Sequence, residues 1–286
     1  MSTASQAADW VGPLQMVEEI VDAGYAGTEL GEFGFLPQDP VELSDLLQSH
    51  GLALVAGFVQ APLIEVNADR SHLDRVLEVA TLVSAVNPSA WLILSDAIGA
   101  DPRRTAHAGR IEATDAPSDS EWHALIQAAQ TLARAARDQC GLRTLLHPHC
   151  ATLIETPEEV ERFLDWTEPD LIGLCLDTGH FAYAGGDPLT ALYKHGDRLR
   201  HIHLRDMSRE VAERARTEEL DYFQAVESGL FPALGQGGLD LQDFLMELEG
   251  LDYSGWVVVE QKILPGMDSP AQCAKRNREF LLKMGV

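Results

Sequence analysis

Four short apolar runs in the second half of the chain each end in side chains that can bind a metal or move a proton. They are Leu145-Leu146-His147-Pro148-His149, Cys175-Leu176-Asp177-Thr178-Gly179-His180, His201-Ile202-His203-Leu204-Arg205-Asp206 and Val257-Val258-Val259-Glu260-Gln261. Packing alone does not account for such endings, because burying an unpaired carboxylate or imidazole is costly. Each residue taken singly has a structural alternative: a strand-end acid can cap the next helix, and a histidine can be satisfied within a core. Four in the same register at successive strand ends favour a shared site. His147, Asp177, His203 and Glu260 make a mixed nitrogen and oxygen donor set that suits a divalent metal ion, with Mn²⁺ the first expectation and Co²⁺, Mg²⁺ and Zn²⁺ the others.

Elements that position these residues repeat along the chain as an amphipathic helix, a Gly or polar turn, and a short apolar strand. Helices are expected over Pro13–Ala23, Pro40–His50, His72–Val86, Glu121–Gln139, Leu241–Leu248 and Ala271–Met284. Two further helices open at Thr156-Pro157-Glu158-Glu159, a capping box with Pro at the first helical position, and at Asp187-Pro188. Strands are expected at 26–30, 52–59, 91–96, 143–149, 172–178, 201–204 and 256–260. Alternating units with near-continuous apolar strands imply a parallel sheet covered by helices. The polar residues Glu29, Asp96, His147, Asp177, His203 and Glu260 all fall at the C-terminal ends of strands. An open doubly wound sheet gathers its ligand groups at one crevice, whereas a barrel brings every such end to one mouth. The expected fold is therefore an α/β, (β/α)8-type TIM barrel, read as a single domain over residues 1–286. Residues 1–12 contain no apolar run that could be the first of eight strands, so either the barrel has seven strands or another segment or a partner subunit covers the gap.

The chain has 286 residues, 45 acids against 21 Lys and Arg, and a formal net charge of -24. A field of that sign repels phosphate backbones and anionic membrane surfaces, so nucleic acid and membranes are excluded as partners. No apolar run reaches the length of a membrane span, and Met1-Ser2-Thr3-Ala4 does not open a signal peptide. The four cysteines form no C-x-x-C pair and read as reduced thiols of a cytoplasmic protein.

Residues 143–206, together with Gly27-Thr28-Glu29-Leu30-Gly31 and Val257-Val258-Val259-Glu260-Gln261, resemble the xylose-isomerase-like sugar phosphate isomerase/epimerase superfamily over most of the chain. Within it, Asp177-Thr178-Gly179-His180, Gly185-Gly186-Asp187-Pro188 and His201 to Asp206 are most similar to inosose (2-keto-myo-inositol) dehydratases. The resemblance implies a metal held by Glu, Asp, His and Glu from the last four strands. Asp177, His203 and Glu260 match that set, but His147 stands where the epimerases carry their first Glu. Epimerases use two metal-bound glutamates on opposite faces of the substrate, and one remaining glutamate cannot do both tasks. The expected activity is accordingly a lyase that takes the proton α to the carbonyl of a keto-cyclitol or keto-sugar and eliminates water. A sugar isomerase or 3-epimerase, and β-elimination from a 3-keto-glycoside (C-deglycosylation), are the alternatives on the same scaffold.

Glu260, His149 and His180 are the expected catalytic groups, and Arg205, Glu29 and His201 the expected substrate contacts. Arg205 has a salt bridge as its alternative role, and Glu29 a capping role. The long polar stretch Ala97–Ser120, with Arg103, Arg104 and Arg110, is expected to overhang the mouth and meet the substrate. Residues 229–238 are expected to wall the pocket. The substrate expected is a small polyhydroxylated carbonyl compound, and the assembly a homo-oligomer or a complex with a partner subunit.

Overall fold

In a computed structural model of the protein, residues 11–66 and 69–285 are described. Seven strands run in chain order: β1 (Gly27–Glu29), β2 (Ala53–Ala61), β3 (Trp91–Asp96), β4 (Arg143–Leu146), β5 (Ile172–Asp177), β6 (Leu199–Leu204) and β7 (Trp256–Val259). Each pairs in parallel with the next, giving one sheet of order β1-β2-β3-β4-β5-β6-β7. Helices between consecutive strands cover its outer face, and the sheet curves into a nearly closed barrel. Helices α1 (Pro13–Ala23), α2 (Pro40–Ser49), α3 (Arg70–Val86) and α5 (Asp119–Cys140) fall within a few residues of the sequence expectation, as do α6 (Pro157–Trp166), α8 (Pro188–His195), α11 (Leu241–Gly250) and α12 (Pro270–Lys283). Their ends follow local chemistry. Asp39 caps α2, capping boxes open α5 and α6, and left-handed Gly24 and Gly141 close α1 and α5.

The strand period of two sorts the side chains. Leu174 and Leu176 of β5 and Ile202 and Leu204 of β6 face outward into the large core beneath the helices. Ala56, Ile93, Leu145 and Cys175 face inward as a small apolar plug inside the barrel. Continuing the inward alternation above that plug delivers His147, Asp177, His203 and Glu260 to the mouth. Packing thus fills the bottom of the barrel and leaves its top to polar groups.

Two short helices escape the sequence pattern, α4 (Pro102–His107) and α7 (Thr178–Tyr183), while α9 (Arg209–Thr217) and α10 (Tyr222–Glu227) occupy the helix-like stretch between β6 and residue 229. The more consequential is α4, because it revises the part expected of the arginines in residues 97–120. Arg104 is fully buried and pairs with Glu159, while Arg110 bonds the carbonyls of Ala106 and Leu220. The segment is tied to the chain that follows β4 and β6, and these two arginines are engaged by protein groups.

Among the described residues β1 and β7 are the two ends of the sheet and do not pair. Helices α1 and α12 pack together outside that seam. A cavity of about 510 Å³ lies within it, lined by Tyr25, Gly27, Glu29, Trp256, Val258 and Cys273 among others. The expectation of a missing first strand concerns residues that, up to position 10, lie outside the described ones.

Candidate active site

A cavity of about 690 Å³ opens at the C-terminal ends of the strands, with Glu29, Phe58, Gln60, His147, His149 and Glu260 in its wall. Ligand-capable atoms of Asp177, His203 and Glu260 lie within 4.8 Å of one another. His203 Nδ1 is the hub, 3.0 Å from His147 Nε2 and 3.1 Å from Glu260 Oε1. His147 Nε2 is in turn 4.0 Å from Asp177 Oδ2. His147 also belongs to a second cluster with Cys175 and His203. The four expected ligands therefore come together at one place. The donor set and the close approach of two bare-capable ring nitrogens fit a divalent cation.

Around this centre the remaining polar groups have defined partners. Arg205 reaches back between two carboxylates, donating from Nε to Asp177 Oδ2 at 2.8 Å and from its guanidinium to Glu260. Gly179 explains why this is possible: a Cβ there would lie 2.8 Å from Arg205 Cγ and Cδ. The glycine of Asp-Thr-Gly-His is thus a passage for the arginine. Asp177 Oδ1 accepts from the backbone N–H of His180, so the same carboxylate caps α7. Asp206 holds residues 235–239 through the N–H groups of Gly235, Gly237 and Leu239, which fixes the 229–238 segment beside the mouth. Phe231 from that segment lies under the Arg205 guanidinium at 4.8 Å.

Charge and burial set the protonation of the histidines. Burial pushes His149 down to about 4, and it holds His147 and His180 well below the ordinary imidazole range. His149 Nδ1 donates to the Cys150 carbonyl at 2.6 Å, so a neutral ring presents Nε2 as an acceptor. Burial alone would also lower His203, but Cys175 and the carboxylates of Glu260 and Glu29 reverse the sign and raise it. Burial would raise Glu29, yet His203 and His201 bring its carboxyl far below the usual range.

Three placements revise the sequence expectations. His201 is fully buried and bonds Glu29 Oε1 at 2.7 Å, away from the cavity wall, so it is not placed to touch a substrate. His180 lies against His149, with ring centroids 3.8 Å apart and planes tilted by 40°, and does not itself line the cavity. Arg205 is taken by Asp177 and Glu260, the salt-bridge alternative. Glu29 does line the cavity, but its Oε1 is engaged by two histidines. Cys175 and Tyr222 were not foreseen. Cys175 stands two residues before Asp177 and so shares its inward face, a signal the strand period carried. Tyr222, whose ring is 5.5 Å from that of His149, comes from the short helix α10, which opens with an Asp221/Gln224 capping box.

Fold and site together define a class, and the chain belongs to the xylose isomerase-like TIM barrel family, whose profile matches residues 17–284. Among individual relatives it is similar to the inosose dehydratase of Geobacillus kaustophilus, 31% identical over 273 residues, spanning 93% of this chain and 85% of that protein. It is likewise similar to the rhizopine catabolism protein MocC of Rhizobium meliloti, 32% identical over 272 residues, spanning 95% and 81%. The apo structure of the E. coli 3-keto-D-glucoside 4-epimerase YcjR superposes with a TM-score of 0.69 over 99% of this chain and 97% of that one. At 16% identity that likeness speaks for the fold alone.

Proposed function

We propose that the protein is a divalent-metal-dependent carbon–oxygen lyase that dehydrates a keto-cyclitol or keto-sugar, in the manner of an inosose dehydratase. The relatives named inosose dehydratase, matched over most of this chain, support the substrate class. The observation that carries the reaction type is histidine at position 147, which leaves Glu260 as the one glutamate of the four-residue set with Asp177 and His203. His147, Asp177, His203 and Glu260 would hold the metal, which when bound would polarise the substrate carbonyl and the adjacent hydroxyl. Glu260 takes the proton α to the carbonyl. The departing hydroxyl leaves with one proton as water, and Glu260, protonated by the first step, can return that proton on the same face. His149, a neutral ring with Nε2 as acceptor, receives a hydrogen bond from a substrate hydroxyl and orients it. Arg205 keeps Glu260 aimed and anionic before the substrate arrives. His180 packs behind His149 as a positioning group.

Epimerisation is the second reading, because a second carboxylate, Glu29, does reach the cavity. Its pairing with two histidines makes it a weak proton acceptor at neutral pH, which favours elimination. No helix among the described residues is long and apolar enough to cross a membrane, and the proposed setting is the cytoplasm, with the chain as one catalytic domain. The test is a mass-spectrometric screen of keto-inositols and keto-sugars with and without Mn²⁺. Metal-dependent loss of water is expected. Epimer exchange with solvent label at the α carbon and no dehydrated product would replace the lyase reading with the isomerase one.

A further inference from the structure

Glu29 enters the site from β1, the far side of the seam, and makes a contact that direct substrate binding does not explain. Its Oε1 accepts from His203 Nε2 at 2.8 Å and from His201 Nε2 at 2.7 Å. His201 and His203 lie two residues apart on the inward face of β6, so their rings form successive layers. His203 has only two ring nitrogens. With Nε2 tied to Glu29, Nδ1 is the atom left facing His147, Glu260 and Asp177. Turning the ring over would replace both nitrogens by carbons and leave a buried carboxylate short of a partner.

His201 is informative for what it lacks. It is fully buried, and its Nδ1 has no hydrogen-bond partner among the described residues. An orphaned buried polar atom is destabilising, and an apolar side chain would pack at that position without the penalty. Its visible contribution is the second N–H on Glu29 Oε1, which fixes where that oxygen points. We propose that His201 and Glu29 are positioning residues that lock the His203 ring with Nδ1 toward a divalent cation. The inference rests on the reading of Asp177, His203 and Glu260 as ligands, and it assigns to Glu29 and His201 a task other than substrate contact.

Mn²⁺ binding to the metal-stripped full-length protein, followed by calorimetric titration, tests it without any turnover assay. Glu29→Gln keeps an acceptor oxygen but loses the charge, and Glu29→Ala loses both. Outer-shell partners of this kind are worth about 10–100-fold in metal affinity. The expected result is a Kd weakened by that factor in Glu29→Ala and by less in Glu29→Gln, measured on metal-free proteins whose circular dichroism at the titration temperature matches wild type. His201→Leu is the second variant should the Glu29 variants not fold. It is expected to weaken binding in the same direction, because Glu29 then loses one of its two anchors. Wild-type affinity in Glu29→Ala, or in His201→Leu where that variant carries the test, overturns the positioning role while the ligand assignment stands. A wild-type protein that takes up no Mn²⁺ or Zn²⁺ overturns the ligand assignment itself.

Discussion

Two buried charge clusters, side by side in this barrel, are built from the same residue types and finished in opposite ways. In the lateral one Arg104 forks onto both oxygens of Glu159, at 2.8 and 2.6 Å, and its Nε donates to the Thr152 carbonyl. Glu159 also accepts from the N–H groups of Glu155 and Thr156. Arg104 is fully buried and Glu159 nearly so. At the mouth Arg205 instead bridges two carboxylates, but the Glu260 side chain stays 31% exposed, and among the described residues His147, His180 and His201 carry buried ring nitrogens without partners. A cluster whose charged groups are tied to one another and to backbone holds the structure together. One that turns a partly exposed carboxylate, Glu260, and the ring of His147 toward an open cavity is poised for a ligand.

The largest separation between the two clusters is expected from Glu260→Gln. If Glu260 moves the proton, kcat on the substrate found by the screen falls at least about 10²–10⁴-fold, while thermal stability barely changes. An active Glu260→Gln enzyme would remove the mouth cluster from the chemistry. The converse substitution, Glu159→Ala, strands the Arg104 guanidinium in the interior. Breaking a buried pair from one side costs about 3–5 kcal/mol. Urea unfolding should register that loss, with kcat per folded molecule unchanged, and a fall in kcat at intact stability would mean that the lateral cluster is not merely structural.

The smallest effect, and the one that sharpens the comparison within the lateral cluster, concerns Glu155. Burial pushes its carboxyl up to about 7, against hydrogen bonds from Gly109 and Ala151 and the charge of Arg104, with Glu159 adding to the rise. The folded state therefore keeps a proton that the unfolded chain gives up near its ordinary carboxylate value. This contribution is present in full below about pH 4.5 and is lost as pH rises through about 7. The stability difference between wild type and Glu155→Gln should move by roughly 3 kcal/mol or less across that window, at about 1.4 kcal/mol per unit. The variant should gain relative to wild type as pH rises, and parallel pH profiles would mean that Glu155 titrates normally.

The same contrast explains what could be read in advance. His147, Asp177, His203 and Glu260 were legible because a strand of period two ending at a barrel mouth fixes both the face and the level of its last residue. Arg104 was not, because a polar stretch with arginines reads as exposed until its carboxylate partner, 55 residues away, is known to pack against it. Helices α4 and α7 were missed for a related reason: at six residues each they carry too few turns for a periodic signal.

Sequence by itself determined the alternation of helices and parallel strands, the inward polar ends, and hence the class of barrel and the place of its site. Only the tertiary structure decided which polar groups are partners: that Arg205 bridges Asp177 and Glu260, that His180 sits behind His149, and that Glu29 serves His201 and His203 from across the seam. Periodicity is a local property of the backbone and survives in the letters. Pairings between residues up to 174 positions apart depend on how the barrel closes, and no local rule encodes them.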